Sequence, residues 1–333
     1  MATRYANSVL FGFDFQSNAA IVLMLDNMTY METIRIEGEE DIEIGLNDGT
    51  YVLAQAKSVV NSSTNFSNVR QNGKKAMASL SDASHKLKAK HLIYVTNSPD
   101  PFKDEASKPM FYGKSRVIYN RLPEPTKQII SGWLSEIEKP LNTDKLTVQV
   151  LPFETDDEEQ RYKVIIEAIS DFIGDLQISS DGLRKRLHEV WLMMLDRNGS
   201  KSNRDIKLTK KDVVWPLIVF ITGRGQLNRE SQYCVDLDDG EFDEIQRKYG
   251  ELIEDTCEQF DTAVKVITDF SERNLKGRNA IELFVNEYCD EYQAEFGLDA
   301  VNEPTKSNLT RIILYTILRK RHDINKIKQS VNL

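Results

Sequence analysis

The chain has 333 residues, 40% of them apolar, enough for two domains with sizeable cores. Its formal net charge is −9, and its N-terminus, Met1-Ala2-Thr3-Arg4, leads into no signal-peptide apolar region. These features, with no run of about 18 apolar residues and three cysteines that form no CxxC pair (Cys234, Cys257, Cys289), predict a cytoplasmic protein without membrane or disulfide framework.

In chain order, apolar residues at helical spacing predict a first helix over 13–27. A strand over 33–37 follows. The runs ending in Ile42-Glu43-Ile44 and beginning at Tyr51-Val52-Leu53 alternate with period 2 on either side of Asn47-Asp48-Gly49, which signals a β-hairpin. A polar loop at 61–65 precedes a helix capped by Ser67 and carrying Val69, Ala76, Met77, Leu80 and Leu87, with Gly73 as a weak point. His91 to Thr96 reads as a buried strand ended by Asn97-Ser98-Pro99. Beyond a Pro-punctuated segment come a helix over 124–137 and a strand over 146–151. The remainder reads as helices over 162–173, 183–195, 210–221, 280–296 and 309–320, with a long periodic run from Ile245 to Phe270. That run carries more apolar residues than one helix can hide, which predicts a homo-oligomer or a partner-docking surface.

The hairpin carries the chemistry. A turn centred on Asn47, Asp48 and Gly49 pairs positions that sum to about 96, so Asp41 faces Gln55 and Lys57 follows two residues on along the same face. Glu39 is placed opposite Lys57. Ile42, Ile44, Val52, Ala54 and Ala56 make the apolar face. Read by spacing alone, the same pattern also describes an ordinary amphipathic hairpin with charges toward solvent, and Glu39 with Lys57 a plain cross-strand ion pair.

Charge is uneven along the chain. Between Asn65 and Arg121 eleven Lys and Arg residues stand against four acids, a local balance of +7, and between Asp236 and Glu258 the balance is −8. The first stretch suits a phosphate backbone and the second repels one, although solvated helix faces account for both equally well. The other motif-like strings fail. Gly113-Lys114-Ser115 lacks the earlier glycine of a phosphate loop, Asp236 to Gly240 misses the register of a calcium loop, and the four histidines show no metal-ligand spacing.

The order helix, three strands, helix, strand, with Asp41 followed by Gln55-Ala56-Lys57, resembles the core of the restriction-endonuclease-like PD-(D/E)XK nucleases, in the branch with Gln in place of the second acid. Gly12-Phe13-Asp14-Phe15-Gln16 and Glu37-Gly38-Glu39-Glu40-Asp41 further resemble effector nucleases of bacterial antiphage systems of the CBASS and Lamassu type. The resemblance covers about the first hundred residues. It implies an α-β-β-β-α-β nuclease domain over 1–155, a helical oligomerisation or docking domain over 156–333, and DNA as substrate. It also implies a Mg²⁺ or Mn²⁺ held by Asp41, the Gln55 amide oxygen and the Ala56 carbonyl, with Lys57 orienting the attacking water and offsetting transition-state charge. Gln16 falls where many relatives carry a Glu on the first helix, and an amide is a poorer ligand for a second metal. Relatives are activated by assembly, for example with an SMC-like ATPase. The alternative is a catalytically silent nuclease fold that binds nucleic acid or protein.

Overall fold

In the computed structural model the described residues are 7–154, 157–178, 182–223, 227, 229, 233–234, 236–253, 259–296, 298 and 302–333. They form a mixed α/β fold with a seven-stranded open sheet and a mostly helical C-terminal part. The chain divides into two compact units, Met1–Lys210 and Lys211–Leu333.

The first unit begins with α1 (Asn7–Asn27), then β1 (Met31–Ile36), β2 (Ile42–Leu46) and β3 (Tyr51–Lys57), α2 (Val69–Lys86) and β4 (Ala89–Thr96). The sheet is completed by β5 (Ser115–Ile118), β6 (Leu146–Val150) and the two-residue β7 (Leu208–Thr209), in the order β5-β6-β4-β3-β2-β1-β7. β1, β2 and β3 are antiparallel neighbours, whereas β3, β4 and β6 run parallel. Between β4 and β6 stands α3 (Glu124–Leu134).

Helix α1 is apolar because it is interior. Residues 15–24 are all buried, Gln16, Ser17 and Asn18 among them, and only its first turns and its end reach solvent. By length and composition it could also cross a membrane, in contrast to the sequence reading. Burial all round is the condition under which a helix loses its amphipathic pattern.

The sheet is covered on both faces at its centre. Leu53, on the same face of β3 as Gln55, joins Ala76, Met77 and Leu80 of α2 in one apolar cluster with Leu92 and Tyr94, while Val52 and Ala54 on the opposite face are buried as well. The hairpin therefore has no solvent face of the kind the alternation suggested. Gly73, a weak helix former, is explained by packing. A Cβ at that position would lie 2.7 Å from the Trp133 ring of α3, and Trp133 in turn stacks on Phe102. Ser67 is not the cap of α2. Asn68 occupies that position without a side-chain cap bond, and Ser67 Oγ donates instead to Asn65 Oδ1 at 2.5 Å.

The boundary expected at 155/156 falls later, at 210/211. The reason is that α4 (Glu158–Asp175) and α5 (Leu183–Gly199) pack on α1. Arg161 Nη1 and Tyr162 Oη lie 3.4 and 3.1 Å from Asp14 Oδ2, His188 Nε2 lies 2.7 Å from Asn18 Oδ1, and Ser17 Oγ donates to Asp196 at 2.6 Å. Burial pushes the Asp14 carboxyl above its usual range, against the Tyr162 hydroxyl and the Arg161 charge. The guanidinium of Arg35 on β1 donates to the carbonyls of Lys201, Asn203 and Ile206, which ties the segment after α5 to the sheet.

The second unit contains α6 (Lys210–Thr222, its first residue belonging to the first unit), α7 (Asp239–Ile253), α8 (Gln259–Glu272), α9 (Ala280–Glu295), α10 (Glu303–Arg319) and α11 (Arg321–Val331). Helix α10 packs on α7, α8 and α9. The periodic run from Ile245 to Phe270 spans α7 and α8, with 254–258, including Cys257, outside the described residues. Ile245, Tyr249, Ile253, Phe260, Ile267 and Phe270 are buried within the chain itself, while Leu252 and Val264 are half-buried. Cys234 and Cys289 are buried.

Substituting Gly73→Val should lower stability by about 1–3 kcal/mol, because the branched side chain must displace the Trp133 ring in a packed core. Urea unfolding measures it. The double variant with Trp133→Leu should recover part of the loss, and failure to do so would place the cost in helix propensity alone.

Candidate active site

The turn Leu46 to Tyr51 sets the geometry. Leu46 N–H donates to the Thr50 carbonyl at 2.8 Å and Gly49 N–H to the Leu46 carbonyl at 3.0 Å, with Gly49 at φ +73°, a conformation glycine adopts without steric cost. The ladder then pairs Gly45 with Tyr51, Ile44 with Val52, Glu43 with Leu53 and Ile42 with Ala54. This is the register read from the sequence. Asp41 lies one residue before the ladder and Gln55 one residue beyond it.

There the three expected side chains meet. Asp41 Oδ2 accepts the Gln55 Nε2 hydrogen and, at 3.0 Å, the backbone N–H of Ala56, and Lys57 Nζ lies 3.6 Å from the same oxygen. Gln55 is 3% exposed, whereas the side chains of Asp41 and Lys57 are 23% and 28% exposed, so solvent reaches the cluster from one side. Burial raises the Asp41 carboxyl above its usual range and Glu37 adds to this, with Lys57, the Ala56 N–H and Gln55 opposing. Ala56 thus meets Asp41 through its N–H, while the carbonyl was the expected ligand.

Gln16 reaches the same place from α1. Its Nε2 donates to Glu37 Oε1 at 2.8 Å and to the Asp41 carbonyl at 2.9 Å. The amide therefore clamps the β1–β2 turn, in which Glu37 N–H donates to the Asp41 carbonyl and Gly38 N–H to the Glu40 carbonyl, each at 3.0 Å. Glu37 holds φ +56°, a conformation that costs a non-glycine residue about 1 kcal/mol or more.

That turn removes Glu39 from the place expected for it. A ladder extended past Asp41 would set Glu39 opposite Lys57, but the chain has already reversed toward β1. Glu39 instead pairs with Lys86 of α2 at 3.0 Å and Arg204 at 3.9 Å. Glu40 turns inward in its stead. It is 6% exposed, its Oε2 accepts the Asp41 N–H at 3.3 Å, and its Oε1 is buried without a hydrogen-bond partner. Burial pushes the Glu40 carboxyl up to about 8, reinforced by the Asp41 charge and opposed by Lys57. Neither Glu37 nor Glu40 has a distinguishing sequence signal beyond membership of the acidic phrase.

Below the site, Asn97 fixes the chain that leaves β3. Its Oδ1 accepts the Val59 N–H at 2.8 Å and its Nδ2 donates to the carbonyls of Val59 and Phe153 at 2.9 Å each. The basic stretch is largely engaged locally. Lys86 also pairs with Asp82, Lys90 with Asp48, Arg116 with Asp26 and Lys74 with Glu136, and Arg70 donates to the carbonyls of Phe102 and Lys103.

Among the described residues no group of three or more His, Cys, Asp and Glu side chains is arranged to hold a metal ion. Asp41 and the buried, unpartnered Glu40 oxygen are nevertheless hard donors of the kind a divalent cation takes, with the Gln55 amide beside Asp41. The donor set fits an ion that keeps several waters.

No protein-family model and no curated protein matches the chain. Among solved structures, it is similar to the Acinetobacter baumannii Cap4 SAVED/CARF-domain containing receptor with the cyclic trinucleotide 3'3'3'-cAAA, at 15% identity and a TM-score of 0.37, over 62% of this chain and 44% of that one. The chain thus covers less than half the length of that receptor, and a likeness at this score establishes no shared fold.

Gln16→Leu should destabilise the first unit by about 1–3 kcal/mol, the cost of leaving the Glu37 carboxylate and the Asp41 carbonyl without their donor. Denaturant unfolding of the variant checks this. An unchanged midpoint would mean that the β1–β2 turn holds without the amide.

Proposed function

We propose that the chain is a metal-dependent DNA endonuclease of the PD-(D/E)XK type, an effector of bacterial antiphage defence activated by assembly. The observation that carries the nuclease reading is the convergence of Asp41, Gln55 and Lys57 at the start of β2 and the end of β3. The defence role rests on the resemblance of the first hundred residues.

The roles follow from the geometry. Asp41 would supply the carboxylate for the cation, and a rotation of the Gln55 amide would present its oxygen in place of the nitrogen that now donates to Asp41. When bound, Mg²⁺ or Mn²⁺ would lower the pKa of a water and stabilise charge on the phosphoryl oxygens. Lys57, partly exposed beside Asp41, would orient the attacking water through its ammonium and offset the negative charge of the transition state. Gln16 and Glu37 act through the turn that presents Asp41, so Gln16 is a positioning residue here.

Both Asp41→Asn and Lys57→Ala should lower supercoiled-plasmid cleavage by about a hundredfold or more, as loss of a group aimed at transition-state charge does. Only Asp41→Asn should weaken Mn²⁺ binding. The assay is a time course with Mg²⁺, Mn²⁺ or EDTA, on the isolated chain and on the assembly recovered from its native cells. Cleavage at wild-type rate by Lys57→Ala, or cleavage in EDTA, would refute the assignment. Salt-sensitive DNA retention without product under every condition would establish the silent-fold alternative instead.

A further inference from the structure

Glu40 is the one carboxylate around Asp41 whose burial has no visible compensation. The amide of Gln16 serves Glu37, Lys86 and Arg204 serve Glu39, and the ammonium of Lys57 lies against Asp41. Glu40 receives the Asp41 backbone N–H on Oε2 and nothing on its buried Oε1. A desolvated carboxylate oxygen without a donor is unfavourable unless a proton or a cation completes it.

We propose that Glu40 is the second carboxylate for the divalent cation, so that the ion is held by two consecutive acids, Glu40 and Asp41, with the Gln55 amide. This rests on the nuclease reading above. The observation behind it is steric as much as electrostatic. The β1–β2 turn leaves Glu39 paired with Lys86 and Arg204 and buries Glu40, whose carboxylate accepts the Asp41 backbone N–H, and Gln16 on α1, an amide committed to Glu37 and the Asp41 carbonyl, supplies no charge there. Two acids and an amide suffice as protein donors where Mg²⁺ and Mn²⁺ complete their shells with water.

The test is Mn²⁺ binding to the full chain without DNA, followed by electron paramagnetic resonance of the free ion, with thermal melts run in parallel. Glu40→Gln keeps the shape and removes the charge, and it should weaken Mn²⁺ binding about tenfold or more and abolish the rise in melting temperature that Mn²⁺ gives the wild type. Its melt without metal reports whether it folds. Glu40→Ala removes the group altogether and should show the same loss. Wild-type affinity in both Glu40 variants, alongside lost affinity in Asp41→Asn, would overturn the Glu40 assignment and leave the nuclease reading standing. No Mn²⁺ binding by the wild type would overturn both.

Discussion

Asp41 Oδ2 gathers three donors from three consecutive residues of one strand: the side chain of Gln55, the backbone of Ala56 and the ammonium of Lys57. A carboxylate removed from water is costly unless such partners replace its hydration. All three can reach one oxygen only if the chain before β2 and the end of β3 lie at the same height, which the 46–51 turn enforces through the register. A slip of one residue would turn Gln55 and Lys57 to the opposite face. The site is therefore a property of the turn as much as of the residues it unites.

Around that carboxylate the fold excludes water on most sides and leaves one open. α2 and its apolar cluster cover the Leu53 face, and α1 sends Gln16 to brace the β1–β2 turn. The strained backbone of Glu37 and the unpartnered Glu40 oxygen are both local costs. They stand together within four residues, as expected where structure is held for chemistry at the expense of local stability. α4 and α5 pack on α1 and hold it through Asp14, Ser17 and Asn18.

Much of this was legible in the chain. The hairpin, its register and the meeting of Asp41, Gln55 and Lys57 follow from turn chemistry and a period of 2, both strong local signals. What failed was extrapolation and partnership. Continuing the ladder to Glu39 ignored the reversal at Gly38, and the choice between Glu39 and Glu40 depends on a turn conformation that composition does not specify. Helical periodicity over 162–173 and 183–195 shows that apolar faces exist but not that they pack on α1, within a first compact unit that extends to Lys210. The same limit explains the run from Ile245 to Phe270, whose partners are helices of its own unit. Edge strands as short as β5 and β7 lack the length from which alternation is read. Alternation in β3 resembles that of a one-sided strand, whereas β3 is central and covered, with Lys57 partly exposed at its end.

The most direct test of the account is anomalous diffraction at the manganese edge from crystals of the wild-type chain grown with Mn²⁺ and a short DNA duplex. The account predicts one strong peak about 2.2 Å from a carboxylate oxygen of Asp41, with Lys57 turned toward a DNA phosphate. An ordered duplex with no peak at Asp41, or with a peak elsewhere on the chain, would contradict it.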